Sequence, residues 1–350
     1  MSQEISNEPD ALACDKSGSP AKDDLAPPWM VWGLAGVVVA LLWAWSPGYI
    51  GHLLVMLGIY LLLGYSLNLV TGFGGLIVFC HAVFYGIGAY TYALVRLRGG
   101  SPGTQVAEML WAGDWGFFPA LAAAGLVAGL LAAGIGWVCL RFRGDHFIFA
   151  TLGFQMIVFV VLYNWVELGR GPFGIYGIPR PSVLGWTLRE PWHYVLLVAG
   201  LLSLVLPLLF RLYCSPFGLA LKTMREDERA ARAMGVDTNG LALRALVVAG
   251  AVAGIAGALY AGYVTYIDPT SFSLKESIYL VTVLMLGGGG NIKGPLAGAV
   301  VMLALPETLR FVGLPDAVAA NVREIIYGAM LAALMYWRPQ GLAGTTLIKS

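Results

Sequence analysis

The sequence predicts an all-α membrane protein: a polytopic helix bundle of roughly 8–10 transmembrane helices, with broken helices around a central pathway. Three observations carry that prediction. Of the 350 residues, 58% are hydrophobic and only 12% are charged. That is about half the charge of a soluble domain, so lipid must be the solvent for most of the folded surface. Mean hydropathy is +0.75. The 46 glycines suit helices that associate in lipid by close backbone approach rather than by a hydrophobic force.

The elements follow in chain order. Residues 1–28 are polar and mostly acidic, with Glu4, Glu8, Asp10, Asp15, Asp23 and Asp24 against Lys16 and Lys22. No basic start runs into an apolar stretch, so the segment reads as a disordered cytoplasmic tail rather than a cleaved signal peptide. Residues 29–342 make the transmembrane domain and residues 343–350 a short tail. At about 20 apolar residues per span, the spans are Trp29–Trp45, Ile50–Val70, Phe73–Val95, Gly116–Leu140, His146–Tyr163, His193–Phe210 and Leu241–Tyr266. The C-terminal third is interrupted. Ser277–Leu286 is short alone, Gly287–Gly290 breaks it, Pro295–Leu305 ends at Pro306, and a last segment centres on Ile325–Trp337.

Lys and Arg in short connections mark the cytoplasmic side. Arg211, Lys222, Arg225, Arg229 and Arg232 form the densest basic stretch. Placing it in the cytoplasm also puts the Arg141–Asp145 turn inside, two spans earlier. Both termini are then cytoplasmic if the C-terminal third crosses three times.

The most informative stretch is Thr223–Gly235, TMREDERAARAMG. Thr223 followed by Glu226 is a capping-box pattern, and Gly235 suits a C-terminal cap. At 100° per residue, Arg225, Glu226, Glu228, Arg229 and Arg232 share one arc; Met224, Ala230, Ala231 and Met234 share the other, broken by Asp227. The spacing predicts one amphipathic helix. A lipid-surface helix carries large apolar groups, and anionic lipid would repel its three acids. Small apolar groups beside mixed charge suit a protein groove better.

Ser215–Gly235 (SPFGLALKTMREDERAARAMG) resembles the cytoplasmic coupling segment of LivM-type permeases, which serve ABC importers of branched-chain amino acids and related solutes. Further stretches resemble that family in the same order: Ser66–Gly75, Gly86–Tyr90, Arg143–Phe154, Gly171–Pro181, Ala253–Ala258, Leu286–Ala299 and Arg338–Leu342. The resemblance covers about residues 50–342. It implies a non-catalytic permease in a bacterial inner membrane. Its implied partners are a second homologous permease, two ATP-binding cassette subunits that bind ATP and Mg, and an external solute-binding protein. Arg225, Glu226, Asp227, Glu228, Arg229 and Gly235 would belong to the helix that docks into an ATPase subunit. One stretch departs from the family: Thr151–Phe154 is followed by Gln155, Met156, Ile157, Val158 and Phe159, where such chains commonly carry charges. That leaves urea, short amides or other small solutes open beside branched-chain amino acids.

Two glycine clusters, Gly72 with Gly74 and Gly75, and Gly287–Gly290 with Gly294, interrupt apolar sequence. Non-helical backbone at membrane depth is tolerated where it is buried in protein or lines a wet cavity. Candidate pathway residues are therefore Ser66, Asn68, Gly74, Gly75, Gln155, Gly288 and Gly289, with interhelical packing the alternative for each. GGGGNIKGP lacks Gly before Lys293 and Ser or Thr after it, so it is not a nucleotide site. His52, His81, His146 and His193 are scattered without metal-ligand spacing, and a net charge of +1 gives nothing for nucleic acid to bind. Ionisable residues within spans are sparse, which argues against carboxylate proton relays. It fits a path for a neutral or zwitterionic solute. A secondary carrier or channel is the competing reading, and it would need coupling-ion ligands rather than a docking helix.

Overall fold

The computed structural model describes residues 47–98, 116–183, 186–187 and 190–311, with 322, 325–326 and 328–329. The expected tail at 1–28, the first span Trp29–Trp45, most of the last segment Ile325–Trp337 and the tail at 343–350 lie outside the described residues. The chain winds through α1 (Pro47–Leu67, ending in a π-helical turn Asn68–Phe73), α2 (His81–Arg98), α3 (Phe117–Cys139) and α4 (Asp145–Asn164). A one-turn α5 (Val166–Gly169) and strands β1 (Ile175–Tyr176), β2 (Ser182–Val183) and β3 (Trp186–Thr187) follow. Then come α6 (Pro191–Tyr213), α7 (Pro216–Glu226), α8 (Glu228–Ala233), α9 (Thr238–Val264), β4 (Tyr266–Ile267), α10 (Leu274–Gly287) and α11 (Gly294–Phe311). The fold is the expected polytopic helical bundle. Among the described residues, five helices are long and apolar enough to cross a membrane: Gly48–Phe73, α3, α4, α6 and α9.

Burial sorts these helices into layers. In their most apolar windows, Gly48–Phe73 is 72% buried and α9 67%, against 22% for α4 and for α6. So α1 and α9 form the centre, and α4 and α6 turn apolar faces such as Phe149, Ile157, Leu204 and Leu208 outward. Small residues let α9 approach its neighbours. A Cβ on Gly254 would lie 2.5 Å from Ala128 Cβ of α3, and one on Gly257 would lie 2.0 Å from the Tyr85 carbonyl of α2. This is the close backbone packing that the glycine content predicts.

Two expectations are corrected here. The third expected span, Phe73–Val95, does not start at Phe73: residues 74–80 are non-helical, and α2 begins at His81. The last short run does not end at Pro306, because α11 continues through it to Phe311. Proline removes one intrahelical donor, and a membrane helix packed against neighbours tolerates that loss.

Two discontinuities meet at mid-depth beside α4. Residues 74–80 climb from one end of the bundle, where the Phe79 amide donates to the Thr151 hydroxyl at 3.4 Å. Residues 265–273 descend from the other end through β4, which pairs antiparallel with β1 (Ile175 opposite Ile267). At 14 residues, α10 spans only about 21 Å, short of a hydrocarbon core of about 30 Å. The extended stretch before it supplies the rest of the crossing. Then α10 and α11 form a tight hairpin, in which a Cβ on Gly298 would lie 1.9 Å from the Val283 carbonyl.

Candidate functional site

The segment joining α6 to α9 folds from clear local signals. Ser215 in extended backbone followed by Pro216 opens α7. The chain then breaks at Asp227 (φ −149°, ψ 105°). The Asp227 carboxylate accepts from the Arg229 amide at 2.8 Å and the Ala230 amide at 3.0 Å, so it caps α8. Gly235, at φ +85°, ends α8 as expected. The Val236 amide reaches the Ala231 carbonyl at 3.1 Å in a Schellman arrangement. The single helix Thr223–Gly235 is thus corrected to two helices. Asp227 is the N-cap, and the Thr223 hydroxyl instead donates back to the Leu219 carbonyl at 3.1 Å.

This break divides the predicted charged arc. Arg225 turns toward the bundle, where its Nη1 donates to the Gly72 carbonyl at 2.5 Å. Its stem lies on Gly75, where a Cβ would come within 2.8 Å of Arg225 Cγ. Leu221 and Met224 are buried beside it, and Lys222 Nζ lies 5.2 Å from the centre of the Phe73 ring. Burial lowers the Lys222 pKa below the ordinary lysine value and the neighbouring Arg225 adds to this, while Glu226 opposes it.

The two glycine clusters come together at this same end. Asn68 clamps them: its Oδ1 accepts from the Gly290 amide at 2.8 Å, and its Nδ2 donates to the Asn291 carbonyl at 3.1 Å. A Cβ on Gly289 would lie 3.4 Å from Gly72 Cα, and Gly288 and Gly290 adopt φ +102° and +87°. Gly74 packs against Leu221. Asn68, Gly74, Gly75, Gly288 and Gly289 therefore surround one junction, in direct contact with the connecting segment.

Glu228 points elsewhere. It pairs with Arg143 of the α3–α4 turn and with Arg232 at 2.8 Å, and accepts from the Thr238 hydroxyl at 3.2 Å. Arg232 Nε also donates to Thr238 at 2.8 Å. The turn, α8 and the start of α9 are thereby tied together on one face of the bundle. Glu226, Asp227, Arg229 and Met234 remain exposed.

The remaining candidates are buried within the bundle. The Ser66 hydroxyl donates to the Leu63 carbonyl at 2.8 Å and lies 2.9 Å from His81 Nε2 at the start of α2. Gln155 is fully buried. Its amide donates to the Phe272 carbonyl at 2.8 Å and accepts from the Ser277 hydroxyl at 3.0 Å, and Ser277 in turn accepts from the Ala82 amide at 3.1 Å. One side chain of α4 thus pins the starts of both α2 and α10. Sequence reasoning missed Arg143, Lys222 and Glu276. Glu276 stands one residue before the apolar run counted from Ser277, and the Lys-Glu-Ser triplet was the available signal. At the opposite end, His52, Arg180, Glu190 and Tyr263 line a cavity of about 270 Å³. The His52 ring stacks on Tyr263 there, with centroids 5.6 Å apart.

A multi-pass bundle with broken helices, and a polar segment braced against those breaks, defines a membrane transport component. The chain belongs to the family described as branched-chain amino acid transport system / permease component, whose model matches residues 49–335. It is 32% identical to the high-affinity branched-chain amino acid transport system permease protein LivM of Salmonella typhimurium, over 89% of this chain and 74% of that one. Identity to LivM of Escherichia coli is 33%, over 82% and 68%. Identity to the permease LivH of Escherichia coli is 24%, over 81% and 91%. No solved structure matches.

Proposed function

We propose that this chain is the permease subunit of an ABC importer for branched-chain amino acids, with residues 215–235 receiving the ATPase. The observation that carries the reading is the bond from Arg225 to Gly72, which links that segment directly to the break at the end of α1. Similarity to both LivM and LivH supports a complex of two different permeases. Two ATP-binding cassette subunits would hydrolyse ATP with Mg, and an external binding protein would deliver the solute at the end that carries the β1–β4 pair. The exposed residues Glu226, Arg229 and Met234 would meet the ATPase. Closure of the ATPase pair would push α7 and α8, and Arg225 would carry that displacement to the junction of Gly72, Gly290 and Asn68. Both termini would be cytoplasmic, the orientation that the Lys and Arg of the connecting segment favour.

The test is purification of the tagged chain in mild detergent, identification of bound proteins by mass spectrometry, and leucine uptake into liposomes. An ATPase subunit, a second permease and ATP-dependent uptake are expected. A chain isolated alone that carries solute without ATP would return the secondary-carrier reading.

A further inference from the structure

We propose that Glu276 and the tyrosines around it form a binding site for a primary ammonium group, the cationic end of an amino acid in transit. Glu276 stands in the first turn of α10, one residue before Ser277 at the mid-depth meeting of the two discontinuities. The Tyr60 hydroxyl of α1 lies beside its carboxylate. The same carboxylate acts electrostatically on the hydroxyls of Tyr85 in α2 and Tyr260 in α9. The rings interlock: Tyr60 lies 5.2 Å from Tyr279, and Tyr85 lies 5.5 Å from Tyr260 and 5.0 Å from Phe272.

Within this cluster, Glu276 Oε1 is buried and has no hydrogen-bond partner among the described residues. An acid in the first turn of a helix is favoured by the helix dipole. That alone accounts for neither the aromatic surroundings nor the unsatisfied oxygen, which costs free energy at membrane depth. A carboxylate oxygen that lacks a donor, among phenolic oxygens and aromatic rings, is the chemistry that takes up an alkylammonium. Glu276 as a residue is only partly buried, so the covered Oε1 lies close to the bundle surface, where a second permease can pack.

This inference rests on the proposed transport of amino acids, and its test separates the two. The assembled importer, purified without its binding protein, is examined by saturation-transfer-difference NMR. The probes are L-leucine, isopentylammonium (which lacks the carboxylate) and 4-methylvalerate (which lacks the ammonium). Saturation of leucine and of isopentylammonium is expected to fall at least about tenfold in E276Q and to return in part in E276D, with 4-methylvalerate unchanged. Y60F, which keeps the carboxylate, should weaken both amines to a lesser degree, and it carries the test if E276Q does not assemble. Equal amine signals in wild type and in the variants that assemble would overturn the site. If isopentylammonium depends on Glu276 while the importer carries no leucine, the site stands and the assigned solute is wrong.

Discussion

The Arg225 guanidinium closes on the Gly72 carbonyl at 2.5 Å, so the last turn of one central helix is capped by a cation from a segment 153 residues further along the chain. A cation at a helix C-terminus is favoured by the helix dipole, and here it also ties the surface segment to backbone that adopts positive φ at Gly75 and Gly290. Movement of α7 therefore reaches two discontinuities through one side chain.

R225A removes a charge-assisted bond of about 1.5–3 kcal/mol, the hydrogen bond that ties α7 to the end of α1. ATP-driven leucine uptake is expected to fall at least about tenfold, with the ATPase still bound. R229E changes an exposed residue of α8 and should instead weaken recovery of the ATPase in a pull-down. Equal effects of the two variants on uptake and on recovery would contradict this division of labour.

Asn68 satisfies one donor and one acceptor of the Gly290–Asn291 turn. N68L keeps the approximate volume and removes both of these bonds, at a cost of about 2 kcal/mol. The purified complex should melt at a lower temperature than wild type. N68D should recover little of that loss, since a carboxylate accepts from the Gly290 amide but cannot donate to the Asn291 carbonyl. An N68D melt indistinguishable from wild type would show that the Asn291 contact carries no weight.

The regular spans were legible because their signal is length and apolarity alone. Phe117–Cys139 departs by one residue at each end from the span read as Gly116–Leu140. The start of α2 was not legible. Leu76, Ile77, Val78 and Phe79 are equally apolar in helix or extended chain, and what holds them extended is a contact to Thr151, 72 residues away. The two glycine clusters were visible as breaks, but hydropathy carries no information on which breaks meet. At the connecting segment, a helical wheel assumed one axis, whereas Asp227 competes for the backbone amides that follow it. Arg225 and Glu228 consequently leave the shared arc for opposite partners.

That competition is testable by itself. D227A removes the N-cap of α8, worth about 1 kcal/mol, in a helix of only six residues. The amides of Arg229 and Ala230 should exchange hydrogen several-fold faster, while those in the middle of α9 are unchanged. D227N, which keeps a capping oxygen, should exchange at close to the wild-type rate. Unaltered exchange in D227A would mean that the tie from Glu228 to Arg143 and Arg232 holds α8 without the cap.

Packing of the central helices gives the last prediction, and one pair of identical substitutions isolates it. A Cβ on Gly88 of α2 would lie 2.2 Å from the Gly254 carbonyl oxygen and 2.4 Å from Gly254 Cα, whereas a Cβ on Gly134 of α3 has nothing among the described residues within 4 Å. The obstacle at Gly88 is backbone, so no rotamer change can relieve it, and α2 must move off α9. In lipid there is no hydrophobic force to draw them back, because the lipid tails are as apolar as the helix faces and close van der Waals packing is what holds the pair. The whole loss of close contact then appears as destabilisation, of the order of 1–3 kcal/mol for one inserted methyl. G88A should lower the yield and melting temperature of the complex, and G134A should leave both at wild-type values. Both glycines sit in helix interiors, so the change in helix propensity is the same for each, and any difference between the variants reports the α2–α9 contact alone.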